Sequence, residues 1–94
     1  MAVLSAALYS DDPVWAMGIC LRLARHSDAV VRGNAVLGLG HIARIHRQLD
    51  LELVRPVVVG ALADDDEYVR GQAESAVDDI EFFLKCKLRP QKGV

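Results

Sequence analysis

The sequence predicts an all-α fold, and three observations predict it. Acidic residues stand where helices would begin, and Pro and Gly punctuate the stretches between them. Apolar residues recur at helical rather than alternating spacing. An eight-residue pattern returns 38 residues later, the signature of a duplicated structural unit. Ninety-four residues leave room for one domain. With 52% hydrophobic and 26% charged residues, the chain reads as soluble and globular rather than disordered. Residues 1–89 are assigned to a single helical domain, and 90–94, with Pro90 and Gly93, to a flexible tail.

Five helical stretches follow in order. Ala2 to about Tyr9 is short and apolar. Ser10-Asp11-Asp12-Pro13 opens the second: acidic caps accept orphan N–H groups, and proline at the first helical position has no N–H to lose. It runs to about His26, with Val14, Met17, Leu21 and Ala24 sharing one apolar face. Ser27 and Asp28 cap the third, about Ala29 to His46, and Asp50 caps the fourth, about Leu51 to Ala63. Asp64-Asp65-Asp66 opens the fifth, about Glu67 to Lys87. Leu53 to Val59 is β-branched and could form a strand, but Pro56 would remove a ladder bond and no second strand exists to pair with it. A helix disturbed near Pro56 is predicted instead.

The repeat aligns Asp28-Ala-Val-Val-Arg-Gly-Asn-Ala35 with Asp66-Glu-Tyr-Val-Arg-Gly-Gln-Ala73, a shared D-x-x-V-R-G-N/Q-A. Each Asp caps its helix and stands four residues before an Arg, so acid and base can meet on one helical face. The predicted buried stripes are Val31, Ala35, Leu39, Ile42 and Ile45 in the third helix, and Val69, Ala73, Val77, Ile80 and Leu84 in the fifth. An Asp-rich turn, then V-R-x-x-A, then a step such as Leu37-Gly38 or Ala76-Val77 followed by Ile42 or Ile80, resembles the HEAT repeat and its bacterial HEAT-like relatives. Pro56 suits the family too, whose first helix is often kinked by proline. The resemblance covers roughly residues 13–88. It departs at Asp78-Asp79, where the first copy has Gly40-His41, and at the second helix, which lacks a proline matching Pro56. It implies a short right-handed α-solenoid of two helical hairpins with an extra N-terminal helix, and a protein-binding role.

No catalytic set is legible. Gly38-Leu39-Gly40-His41-Ile42-Ala43 spells a dinucleotide fingerprint, but it lies mid-helix with no strand before it, so close helix crossing is expected. His26, His41 and His46 lack metal-ligand spacing, and neither Cys20 nor Cys86 has a ligand neighbour. Cys20, among Ile19, Leu21 and Leu23, reads as a buried inert thiol. Ser75 and Asp79 have no histidine in register, and Asp78 and Asp79 point about 100° apart on a helix. No enzyme, metal or cofactor is predicted. No apolar run is long enough to span a membrane and no leader is evident, and two unclustered cysteines fit reduced thiols; a cytoplasmic protein is expected.

Charge is segregated. The net charge is −2, which gives no bulk positive field for nucleic acid. From Asp64 to Glu81 eight acids face only Arg70, a net −7, whereas Arg22 to Arg55 carries a net +3. The candidate partner-binding residues are Glu74, Asp78, Asp79, Glu81 and Phe82 on the fifth helix, with His41 and Arg44 on the third. Such an acidic face on a small non-catalytic protein suits an immunity-type inhibitor of a basic toxin domain, for example a nuclease. The alternatives are a structural adaptor or homodimer joined through open ends, and an accessory subunit in the style of HEAT-like lyase subunits.

Overall fold

The structure, a computed structural model, describes residues 9–89. Among them are four helices and no strand: α1 (Pro13–Leu23), α2 (Ala29–His46), α3 (Leu51–Ala61) and α4 (Glu67–Leu84). The expected helix from Ala2 to Tyr9 falls outside the described residues except for Tyr9, which stands in an exposed turn. The tail 90–94 also falls outside them.

Every helix starts on an aspartate. Asp12, Asp28, Asp50 and Asp66 are extended at the cap, and each side chain accepts two of the first amides of its helix. The residue two before the cap repeats the device in three of them: Ser10 Oγ, His26 Nδ1 and Asp64 Oδ1 accept the N–H of Asp12, Asp28 and Asp66. The starts fall where the caps predict. The ends of α1 and α3 fall short because the final turns tighten into i→i+3 bonds such as His26 N to Leu23 O and Ala63 N to Gly60 O, and α4 stops at Leu84 because Lys85 turns left-handed. The stretch containing Pro56 is helical, not a strand, and the proline is exposed.

The duplication extends further than the sequence pattern. α2 and α4 have the same length, and their bounds are offset by the same 38 residues as Arg32 and Arg70. Both end on a residue in the left-handed region, Arg47 and Lys85, each with φ of 52°. Each cap donates its N–H to the carbonyl four residues back, Ala43 and Glu81.

α2 is the central element: it packs on α1, α3 and, most extensively, α4. A Cβ added to Gly33 would stand 2.7 Å from the Tyr68 ring, and one on Gly40 would stand 2.9 Å from Cα of Ala76. The pairs Gly33–Tyr68 and Gly40–Ala76 keep a nearly constant sequence separation, so α2 and α4 run parallel. Gly40 therefore serves helix crossing, as expected of the glycine-rich stretch.

The core gathers Met17, Ile19, Cys20, Val36, Leu39, Ile42, Val54, Val58, Val69, Val77, Ile80 and Leu88. It contains Ala35, Leu39, Ile42, Val69, Ala73, Val77 and Ile80 of the predicted stripes. The stripes depart from expectation at three positions, and the α1 face at Val14. Val31 and Leu84 are only half-buried, and Ile45 is 59% exposed. α2 is apolar on several sides because three helices surround it, so periodicity alone selects its face poorly. In α1 the inward face is Ala16, Met17, Ile19 and Cys20, and Val14 is 63% exposed. No described helix is long and apolar enough to cross a membrane.

Candidate functional site

The internal equivalence of α2 and α4 marks out one face. The side of α2 that receives α4 includes Gly33 and Gly40, with Val36 and Leu37 on the same helical face. The equivalent positions in α4 are Gly71, Asp78, Glu74 and Ser75, and Glu67 and Phe82 extend the stripe where α2 has Ala29 and Arg44. All six α4 residues are exposed, Phe82 at 73%. Glu67, Arg70, Gly71, Glu74, Ser75 and Asp78 line one shallow concavity with Leu62. α4 thus has an outer face in the orientation that α2 uses to hold a neighbour, but one rebuilt with acids.

The repeated arginines show what that orientation does. Arg32 donates through Nη1 to the carbonyls of His26 and Ser27, at 3.2 and 3.0 Å. Arg70 does the same to the carbonyls of Asp64 and Asp65, at 2.7 and 3.0 Å. Arg32 then uses Nε and Nη2 to grip both oxygens of Asp64, at 3.0 and 2.8 Å, tying α2 to the turn that opens α4. The Nε and Nη2 of Arg70 have no acceptor among the described residues. The expected pairs Asp28–Arg32 and Asp66–Arg70 do not form, because both aspartates are turned into their helix caps. The two bonds from Arg32, and next the Asp66 amide, hold the Asp64 carboxyl below its ordinary value.

The C-terminal segment alters the acidic cluster. Glu81 turns toward it and accepts the amides of Leu88 and Arg89, at 2.8 and 3.2 Å, and Arg89 Nη1 at 2.9 Å. The Leu88 amide above all, with the Arg89 amide and charge, pulls the Glu81 carboxyl below its usual range. Arg89 Nη2 meets Asp78 at 2.8 Å. Asp79 is half-buried, while Glu67 and Glu74 are exposed acids without a side-chain partner among the described residues. Glu81 is thus a structural clamp, and Glu67, absent from the predicted set, belongs to the outer face.

His41 and Arg44 bond to one another at 2.8 Å on α2, and no hydrogen bond or ion pair joins them to the α4 acids among the described residues. Nearby, Asn34 Oδ1 accepts the Tyr68 hydroxyl across the α2–α4 contact, while Ser75 and Phe82 lie on the outer side of α4. Phe82 stacks edge-on against Phe83, over which the Arg47 guanidinium sits at 5.5 Å.

Comparisons with family models, curated proteins and solved structures gave no match.

The remaining reactive groups are placed structurally. Cys20 is fully buried, and desolvation pushes its thiol up to about 12. Burial, then the Glu81 charge, raises Cys86 as well. His26 extends a helix cap. Among the described residues no three His, Cys, Asp or Glu side chains gather as a metal cluster would.

Proposed function

We propose that this chain is a non-catalytic protein-binding module, a short α-solenoid of two HEAT-like hairpins that docks base-bearing protein surfaces on the outer face of α4. The observation that carries the reading is the substitution of Glu74, Ser75 and Asp78 for Val36, Leu37 and Gly40 at equivalent positions of parallel packed helices. A face in stacking orientation but lined with acids disfavours another apolar repeat and favours a basic partner. The parallel packing of α2 and α4, with shared caps and arginine contacts, supports the solenoid. The specific form is an immunity-type inhibitor that covers the basic surface of a toxin domain. Steering comes from Glu67 and Glu74, exposed acids of that face without a side-chain partner among the described residues, and anchoring from the exposed ring of Phe82.

The test is affinity capture from the native cell, followed by association kinetics with the identified partner at low and moderate salt. Glu67→Gln with Glu74→Gln is expected to slow association and flatten its salt dependence, and Phe82→Ala to speed dissociation. Kinetics identical to the parent in both variants would remove the docking role from this face.

A further inference from the structure

A groove of about 690 Å³ lies between α3 and residues 87–89. On a helix advancing about 100° per residue, Arg55, Val59, Pro56 and Gly60 follow one another around about 140° of the α3 surface. Val59, Pro56 and Gly60 make an apolar floor with the buried Leu88, and Lys87 and Arg89 stand on the other wall. Gly60 has open space where a Cβ would stand, so nothing in the fold fills the groove above it.

The wall is fastened by the clamp on Glu81, which accepts the amides of Leu88 and Arg89 and one nitrogen of the Arg89 guanidinium. A second guanidinium nitrogen goes to Asp78, so Arg89 is already neutralised. Arg55 and Lys87 differ. Both are exposed, and neither has a hydrogen-bond or ion-pair partner among the described residues. No acid among the described residues lines the groove; Glu52, three residues before Arg55, lines a separate hollow with it.

An apolar floor with two uncompensated cations at its rim is complementary to a molecule with an apolar body and one anionic end. A carboxylate suits that rim better than a phosphate. The amides that could cradle a doubly charged phosphate, those of Leu88 and Arg89, are taken by Glu81. We propose that the groove binds a small amphipathic carboxylate of the fatty-acid class, its tail over Pro56, Val59 and Gly60 and its head met by Arg55 and Lys87. The groove shares no lining residue with the concavity on α4, so the site stands or falls apart from the docking role proposed for that helix.

Amide chemical-shift titration of the full chain with sodium octanoate tests it. Octanoate is expected to shift the amides of Val59, Gly60 and Lys87 to Arg89 saturably. Acetate and 1-octanol, which each carry half of the ligand, should bind about tenfold more weakly or worse. Arg55→Glu and Lys87→Glu should each weaken octanoate by about tenfold and leave octanol unchanged, whereas Gly60→Leu should weaken both by filling the floor. All three sites are exposed, so the helical circular dichroism should persist. Octyl phosphate should bind no better than octanoate; tighter binding overturns the carboxylate head. Shifts that never saturate, octanol binding as tightly as octanoate, or octanoate binding indifferent to Arg55→Glu and Gly60→Leu overturns the site itself.

Discussion

Gly40 and Gly71 are equivalent neither in surroundings nor in consequence. A methyl at Gly40 would meet the backbone of α4 at Ala76, which cannot swing aside as a side chain can, whereas Gly71 faces open space. Gly40→Ala should lower stability by about 1–3 kcal/mol through overpacking, and Gly71→Ala should raise it by up to about 1 kcal/mol through helix propensity. Opposite shifts of the denaturant midpoint check the pair; shifts of the same sign would show that the α2–α4 spacing is misjudged. Cys20 offers a second check. Cys20 is fully buried with its thiol pushed up to about 12, whereas Cys86 is only half-buried, so a thiol reagent at pH 8 should modify Cys86 and spare Cys20 until the chain unfolds. The aspartate caps and the buried thiol were legible in sequence because each depends on near neighbours. The Arg32–Asp64 grip was not, since nothing local distinguishes a capping aspartate from one that reaches a helix 32 residues away.

At the scale of elements, the duplicated helices were the most legible feature, because cap, arginine and apolar positions recur in one register. Their outer ends were less so. Arg47 and Lys85 close α2 and α4 in a conformation that glycine usually takes, and neither residue type signals it. The inward faces of α1 and α2 were legible only in part: Met17, Ala35, Leu39 and Ile42 are buried as expected, but apolar side chains cover more of each helix than its core contact requires, and Val14 and Ile45 remain in solvent. α3 carries its own flaw. Pro56 sits inside the helix, where it withholds the amide that would bond to Glu52 and crowds the preceding turn. Its ring is exposed, so Pro56→Ala removes little packing. The variant should be more stable by up to about 3 kcal/mol, less whatever rigidity proline lends against the unfolded chain. A thermal or urea denaturation series reads this directly, and a loss of stability would mean that Pro56 is needed by the groove it lines with Arg55, Leu88 and Arg89.

At the scale of the molecule, two depressed carboxyls hold separate parts together. Asp64 joins the turn before α4 to α2 through Arg32, and Glu81 holds the C-terminal segment to α4 through Leu88 and Arg89. The segregation of acids toward the C-terminal half was legible from composition along the chain. Which acids face solvent was not, because the clamp on Glu81 and the ion pair at Asp78 depend on where Arg89 returns. Both Asp64 and Glu81 have folded values below those of the unfolded chain, so the unfolded state binds more protons over the acidic range. Their contribution is therefore complete at neutral pH, above the unfolded carboxylate values near ~4, and is lost as pH falls through the lower folded values. The urea midpoint should stay nearly level from neutral pH to about pH 5 and then decline steeply. Asp64→Asn should lower the midpoint at neutral pH and make the acid decline shallower, since the substituted site no longer titrates. Glu81→Gln should act differently, loosening 85–89 first and exposing the amides of Leu88 and Arg89 to hydrogen exchange before the helices part. If Asp64→Asn kept the parent's acid slope, the proton uptake would belong to other carboxylates, and the Arg32–Asp64 grip would contribute nothing to the acid decline.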